Sequence, residues 1–372
     1  MVLGPLLGLF FVSLGNGFIS SLTSLRLDAA HVSALMIGAI SSAYFVGLTV
    51  GAVTSDRLIG RIGHIRAYSG FASLTAITFL LQGLVFDPWF WLLLRLINGW
   101  AMVGIYLVVE SWLLLAGDPK SRGRLLAIYM IALYGSIMLA QALLGRIDAW
   151  GSSAPFMLAG VLGSMSVLPM VILPRISPEV GAVEPLVPQH LIRMTPAGVV
   201  GSFGSGVGIA AVYTLLPIYL QREGLAIGQV GQLMASTICG AMLLLFLVGG
   251  CIFAIYPVAV SDSADHADAQ ELVRVIQGML LINSVGSALS PIVISPLMNR
   301  VGGNGLFWAF LVLHAALAAF FLWRNRHHPA SAPAAPFAAA AQMTPIGAEI
   351  RVTQELARAA ASAHPEQAPP AS

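Results

Sequence analysis

Charged side chains are scarce in this sequence, at 9% of residues, whereas a soluble globular domain carries roughly 25%. Hydrophobic residues make up 58% of the chain. Water cannot be the main solvent for such a surface, so this composition excludes an ordinary soluble domain. The formal net charge of +2 is also too small to indicate a nucleic acid as a partner.

Cysteine is scarce as well, with only Cys239 and Cys251 in the chain. Within one continuous helix they would lie roughly 18 Å apart along the axis, which is too far for a disulfide. The sequence contains no metal-ligand spacing, paired catalytic carboxylates, Ser/His/Asp constellation or nucleotide-binding glycine loop. We therefore expect no metal, no cofactor and no enzymatic activity.

Long apolar runs take the place of these motifs. A membrane-spanning helix needs about 20 mostly apolar residues. The first half contains six such runs, near Leu6–Leu25, Ser33–Val53, Ala67–Phe86, Trp89–Leu115, Leu125–Ala149 and Phe156–Leu173. The second half contains Ala197–Tyr219, Ile227–Val260, Val273–Met298 and Leu306–Trp323. These runs predict an all-α, polytopic membrane protein.

Polar and proline-containing stretches divide the chain. Residues 1–173 are predicted to form a six-helix bundle, and residues 174–196 a linker. Residues 197–326 hold the four later runs, an incomplete second bundle. Residues 327–372 are rich in Ala and Pro, lack the apolar length to span a bilayer and are predicted to be a disordered tail.

Basic residues concentrate in alternate loops, which predicts the orientation. Among the loops of the first half and the linker, one side carries only Arg26 and Arg146, and the other carries Arg57, Arg61, Arg66, Lys120, Arg122, Arg124, Arg175 and Arg193. The positive-inside rule places the larger set in the cytoplasm, together with the N-terminus and the linker. Arg324 and Arg326 follow the last run and predict a cytoplasmic C-terminus.

A cytoplasmic C-terminus requires an even number of crossings, which makes the run Ile227–Val260 awkward. As a continuous helix it would be roughly 51 Å long, well beyond the hydrocarbon thickness of about 30 Å. A single tilted or kinked crossing satisfies the charge rule, and the chain then has about ten spans.

Three groups of short motifs stand out among the apolar runs. The first is Ser41–Gly47 with Gly51 and Arg61–Arg66; the second is Arg95–Gly99, Val108–Ser111 and Ser121–Ala127; the third is Leu216–Leu220, Ile255–Ala259 and Gln277–Leu281. Together they resemble the Major Facilitator Superfamily, and most closely its YcaD-like branch, over most of residues 1–326.

This resemblance implies two bundles of six helices each, with a cytoplasmic linker and both termini inside, in a bacterial inner membrane. The first half matches that arrangement. In the second half the resemblance stops near Ser236 and resumes near Ile252. The family would place the rest of helix 8, helix 9 and the start of helix 10 between them, so the resemblance implies an internal deletion.

Arg95 is the strongest single signal, because a charge inside an apolar helix usually faces the interior of a bundle. With Asn98 and Gly99 it resembles the family's helix-4 motif, which is associated with proton coupling and the response to substrate. The alternative is an arginine near the outer interface that extends its charge to lipid phosphates.

Glu110 lies fifteen positions after Arg95, about 22 Å along a helix axis and roughly 60° away in azimuth. Both side chains can therefore face inward, although they cannot pair. We hypothesise that Glu110 forms a cytoplasmic latch with Arg61, Arg122 or Arg124, which must break for inward opening. The alternative is an ordinary carboxylate at the membrane interface.

The connection after the second run resembles a degraded form of the superfamily's charged loop signature, Gly-x-x-x-Asp-Arg-x-Gly-Arg. Asp56, Arg61 and Gly63 are its candidate members, but two alignments of the signature are open, and its acid–base role falls on no single residue. A positive-inside loop with turn glycines is the alternative.

Polar residues inside the runs are candidates for a solute path, or else bridges between helices. They are Asn16, Tyr44, Tyr106, Gln141, Tyr213, Tyr256, Gln277 and Asn283, with Asn98 beside Arg95. Gly47 and Gly51 form a Gly-x-x-x-Gly pair that predicts close helix packing.

The function expected from these residues and the resemblance is secondary active transport of a small solute by alternating access. Protons are the suggested coupling ion, the lipid bilayer is the expected surroundings, and a monomer is expected. A truncated, non-transporting relative that acts only as a membrane or interaction protein is the alternative.

Overall fold

The computed structural model describes residues 3–116, 122–172, 192, 195–247, 272–302 and 304–327. The regular structure of these residues is α-helical, without strands. The first half contains α1 (Leu3–Ala29), α2 (Ala34–Ile62), α3 (His64–Leu84), α4 (Pro88–Ala116), α5 (Arg122–Asp148), α6 (Ala154–Met165) and α7 (Val167–Ile172). The second half contains α8 (Pro196–Thr214), α9 (Leu216–Arg222), α10 (Ile227–Leu247), α11 (Leu272–Val301) and α12 (Gly305–His327).

The predicted all-α membrane fold is confirmed by these helices. Among the described residues, nine helical segments are long and apolar enough to cross a bilayer, counting α6 with α7 and α8 with α9 as one segment each. The predicted long run begins as α10, and its remainder to Val260 lies outside the described residues. Most of the predicted linker and the tail after His327 also lie outside them.

Helix α1 occupies the centre of the first half. In its apolar window, 78% of residues are buried. Two of its buried hydroxyl groups bond to the helix itself: Thr23 donates to the Ile19 carbonyl at 2.7 Å, and Ser24 donates to the Ser21 carbonyl at 3.0 Å. A Cβ atom at Gly17 would lie 2.7 Å from Ala140 on α5, so the two helices pack at close range.

Helices α2 and α4 approach each other backbone to backbone, as the Gly47/Gly51 pair predicts. An added Cβ at Gly47 would overlap the Leu96 carbonyl oxygen, and one at Gly99 would overlap the carbonyl oxygen of Tyr44. Because glycine removes the side chain at these crossings, the two helices form a tight pair. That pair fixes Tyr44 beside the first turns of α4.

The most extensive contacts between the halves of the molecule are made by two helix pairs, α2 with α11 and α5 with α10. At Gly38 an added Cβ would overlap the Pro291 carbonyl oxygen, and at Gly145 it would overlap the Gly228 Cα. The Ser295 hydroxyl also donates to the Ala34 carbonyl at 2.7 Å. These contacts lie near the start of α2 and α10 and the end of α5 and α11, which is the predicted outer end.

Two ion pairs lie at the same end. Arg222, the last residue of α9, donates from Nη2 to Asp28 Oδ1 at 2.6 Å and from Nη1 to Asn299 Oδ1 at 2.9 Å. This group links the second half to α1 of the first. Arg26 pairs with Asp148 and joins α1 to α5 within the first half.

Candidate functional site

A cavity of about 220 Å³ lies between the two halves of the molecule. Helices α1, α2, α4 and α5 line it from the first half, and α8 and α11 line it from the second. Its apolar wall includes Phe45, Leu48, Val103, Ile137 and Ile209. Its polar lining consists of Asn16, Ser20, Tyr44, Arg95, Tyr106, Glu110, Tyr129, Tyr134, Tyr213, Thr214, Asn283, Ser284 and Ser287.

Arg95 lines the cavity and is 2% exposed. Its guanidinium carbon lies 4.4 Å from the centre of the Tyr44 ring, and Nη1 donates to Asn98 Oδ1 at a long 3.4 Å. In the described part of the chain, Nε has no hydrogen-bond partner. The side chain therefore points into the protein interior, rather than out to lipid phosphates as in the alternative interpretation.

Asn98 and Gly99 lie next to Arg95 on α4 but do not line the cavity. Asn98 is fully buried, and its Nδ2 lies 3.5 Å from the Thr78 hydroxyl on α3, at the limit of a hydrogen bond. Gly99 allows the close approach of Tyr44. Both residues thus hold the Arg95–Tyr44 pair in place.

Glu110 lies near the end of α4 and is 3% exposed. The Tyr129 hydroxyl on α5 donates to Glu110 Oε1 at 2.6 Å, a short bond of the kind that a charged acceptor forms. Both residues line the cavity. Arg61, one candidate partner for the latch, is exposed at the end of α2, and the side chains of Arg122 and Arg124 lie outside the described part.

The connection between α2 and α3 is shorter than a loop. It consists of Gly63 alone, whose φ of +84° favours glycine and whose N–H donates to the Ile59 carbonyl at 2.8 Å. Arg57, Arg61 and Arg66 are exposed around it, while the side chain of Asp56 lies outside the described part. None of these arginines lines the cavity, so the structure keeps them apart from Arg95.

The other predicted polar residues divide into three groups. Asn16, Tyr44, Tyr106, Tyr213 and Asn283 line the cavity. Gln141 does not; it is fully buried, and its Nε2 donates to the Gly17 carbonyl at 2.7 Å, so it bridges α5 and α1. Tyr256 and the side chain of Gln277 lie outside the described part of the chain.

Sequence reasoning missed several lining residues, chiefly Tyr129, Tyr134, Ser284 and Ser287. The two tyrosines lie inside the apolar run of α5, so the criterion that selected Tyr106 would also have found them. The serines carry a weaker signal, because a hydroxyl in a membrane helix can bond to a backbone carbonyl, as Ser287 does to that of Gly206 at 3.0 Å.

The described residues contain no cluster of three or more His, Cys, Asp or Glu side chains that could hold a metal ion. The polar groups facing the cavity belong instead to one arginine, one carboxylate and several hydroxyl and amide side chains. Such a set can bind an organic solute through hydrogen bonds and one or two charges.

Comparisons with known proteins agree with this geometry. A sequence profile described as the Major Facilitator Superfamily matches residues 6–255. The MFS-type transporter YcaD of Escherichia fergusonii is 27% identical over 364 residues, covering 86% of this chain and 94% of that protein. The YcaD protein of Salmonella enteritidis PT4 is 28% identical, covering 81% and 90%.

The alignment with the Escherichia fergusonii protein is longer than the matched part of this chain. It runs over 364 residues, more than 86% of a 372-residue chain can supply. The relative therefore has residues that are missing from this chain.

Solved structures show the same fold at low sequence identity. The nucleoside transporter NupG superposes with a TM-score of 0.70 at 15% identity, covering 86% of this chain and 98% of that one. A POT family transporter in complex with a thioalcohol-conjugated peptide superposes with a TM-score of 0.71 at 10% identity, covering 88% and 96%.

Proposed function

Because this chain belongs to the Major Facilitator Superfamily, we propose that it is a secondary active transporter that moves a small organic solute by alternating access. Its membership and the names of its relatives indicate a multi-pass membrane transporter rather than an enzyme. The proposal concerns the mechanism, the site and the driving ion. We place it in the bacterial inner membrane with both termini in the cytoplasm.

The observation that carries the proposal is the position of the cavity. Side chains from both halves line it, and the described backbone contacts between the halves gather at the predicted outer end. A site between two bundles, closed at one end, is the geometry that rocking of one bundle against the other requires. We infer that this arrangement is a state closed toward the outside.

The test of transport is solute uptake into liposomes that contain the purified full chain. Labelled amino acids, sugars, nucleosides and organic acids would be offered with and without a pH gradient. We expect at least one to exchange faster than in empty liposomes. A well-folded protein that moves none of them would contradict the proposal.

Coupling to protons is proposed for Glu110. A buried carboxylate in the solute path gains and loses a proton more readily than any other lining group, and Tyr129 holds it in place at 2.6 Å. Protonation would break the charge-assisted character of that bond and change how α4 and α5 pack.

Glu110→Gln is therefore expected to retain exchange of the solute but to lose accumulation driven by a pH gradient. The amide cannot release a proton, while its size and its bond to Tyr129 are kept. Counterflow and gradient-driven uptake would be measured in the same vesicles, with Arg57→Gln, which removes an exposed charge outside the cavity, as the control. Unchanged accumulation in Glu110→Gln would contradict the coupling role.

The alternative function, a non-transporting membrane protein, is supported by one observation. The YcaD alignment contains residues that this chain lacks. Inserting the corresponding segment of YcaD between Ser236 and Ile252 distinguishes the two. Solute flux that appears only after the insertion would favour the alternative, and flux in the natural chain would exclude it.

A further inference from the structure

We propose that the solute carries a carboxylate and that Arg95 is the residue that binds it. This inference rests on the proposed function, because it takes the cavity to be the solute path. It adds the chemical class of the solute, which neither the family nor the relatives supply.

The first argument is the charge balance around Arg95. A guanidinium has five N–H donors and keeps its positive charge in proteins. In the described part of the chain this one meets only neutral partners: the face of the Tyr44 ring and the Asn98 amide oxygen. Nε has no partner, although the side chain is 2% exposed.

The second argument is the distance to the other charge in the lining. Glu110 is the one carboxylate among the described lining residues. It lies fifteen positions along the same helix, about 22 Å in axial distance, and accepts a bond from Tyr129. The negative charge that a buried guanidinium requires must therefore come from outside the described side chains.

A carboxylate matches the guanidinium better than other anions do. Its two oxygens accept two parallel N–H bonds from one arginine, and its single charge balances the single charge of Arg95. A phosphate ester would bring more charge than one arginine neutralises. The lining offers no lysine or second arginine among the described residues.

The remaining lining describes the body of the solute. Phe45, Leu48 and Val103 provide an apolar wall. Asn16 and Tyr213 line the cavity, and the Asn16 Oδ1 atom and the Tyr213 hydroxyl have no hydrogen-bond partners in the described part. The volume, about 220 Å³, is below the range of about 300–1,000 Å³ typical of drug-sized ligands. These features fit a small carboxylate with an aromatic or aliphatic body and one further polar group.

The experiment compares isosteres that differ in charge. Benzoate, 4-hydroxybenzoate and hexanoate, with their amides and the corresponding amines, would be added to the purified full chain in detergent, and the thermal unfolding midpoint would be measured. We expect at least one carboxylate to raise the midpoint by several degrees while its amide and amine do not. Equal effects within every set, or no effect of any carboxylate, would overturn the inference.

Variants locate the binding group. Arg95→Gln should abolish the stabilisation by the carboxylate, and Arg95→Lys should reduce the apparent affinity at least tenfold without abolishing it. Arg57→Gln, which removes an exposed arginine of α2, is the matched control and should behave like the natural chain. Stabilisation that survives Arg95→Gln would overturn the inference. If Arg95→Gln does not fold, Arg95→Lys and the isostere comparison decide.

Flux in liposomes separates this inference from the proposed function. If a neutral or cationic solute is carried equally by the natural chain and Arg95→Lys, transport stands and the carboxylate assignment fails. If carboxylates bind through Arg95 but no solute crosses the membrane, the binding site stands and the transport proposal fails.

Discussion

Arg95 and Tyr44 form the pair around which the cavity is organised. The ring lies 4.4 Å from the guanidinium carbon, and the Tyr44 hydroxyl accepts a bond from Asn16 at 3.3 Å. The ring thus contributes to the position of the charge, and the hydroxyl ties α2 to α1. These two roles can be separated by substitution.

Tyr44→Leu is expected to weaken carboxylate binding by about 0.5–2 kcal/mol, the usual contribution of an arginine over an aromatic face. Tyr44→Phe keeps the ring and should retain most of the affinity. The isostere assay on the purified chain measures both. Equal losses in the two variants would show that the hydroxyl, and not the ring, positions Arg95.

A charge that stands alone in an apolar helix limited the possibilities for a side chain without choosing between them. For Arg95 and Glu110 the sequence left an inward orientation and a position at the membrane interface both open, and the structure shows both side chains buried. Gln141 was not distinguishable from a lining residue, because an amide inside a helix can face a cavity or a neighbouring backbone. The structure shows that Gln141 faces the backbone of α1, because its Nε2 donates to the Gly17 carbonyl.

At the scale of helices, glycine contacts set which elements pair. Gly99 meets the Tyr44 carbonyl, and in the second half Gly206 and Gly286 make similar contacts between α8 and α11. Side chains cannot be accommodated at these points without moving a helix. Gly70 on α3 and Gly135 on α5 have no atoms within 4 Å of an added Cβ.

Gly99→Ala is therefore expected to destabilise the protein by about 1–3 kcal/mol, the usual cost of overpacking. Gly70→Ala is the matched control. It should be neutral or stabilising, since alanine favours helices and its methyl group meets no neighbour. Thermal unfolding in detergent compares the two, and similar losses of stability in both would contradict the packing argument.

Helix positions were predictable from hydropathy, but helix ends were not. The second predicted run stops at Val53, whereas α2 continues to Ile62. Hydropathy indicates where a helix leaves the hydrocarbon core of the membrane. Backbone hydrogen bonds can continue the helix beyond that point into the aqueous region. The break between α8 and α9 at Leu215 was also missed, because Pro217 within an apolar run does not by itself end a membrane span.

For the molecule as a whole, we expect the predicted outer end to stay closed through contacts between the halves. Arg222 and Asp28 form an ion pair across the halves, with side chains 33% and 15% exposed. Arg26 and Asp148 form a comparable pair within one half. Only the Arg222–Asp28 pair must break when the two halves separate, so the Arg26–Asp148 pair is its control.

Asp28→Asn is expected to favour the outward-open state by about 0.2–1 kcal/mol, as for a partly exposed pair, or about 1.4- to 5-fold in population. Asp148→Asn should leave it unchanged. The reporter is Ser20→Cys in the cavity, with Cys239 and Cys251 replaced by serine and a membrane-impermeant maleimide added outside. Labelling that rises in both variants, or in neither, would contradict the role of the Arg222–Asp28 pair.

The all-α membrane fold was predictable because the lengths of the apolar runs can be measured directly in the sequence. The course of the second half was less so. Helix α12 packs sparsely, with 17% of its apolar window buried against 78% for α1. Apolar residues that face lipid and apolar residues that face protein look alike in a sequence, so the small buried share of α12 could not be predicted.

The touching backbones of Gly145 and Gly228 have a practical consequence. Because neither glycine carries a side chain, the two helices can part at this point without a rotamer change at either position. The same absence of side chains makes the contact sensitive to substitution. A single bulky side chain in place of Gly145 would hold α5 and α10 apart. The outward-open protein that results could be used to raise antibodies and to grow crystals.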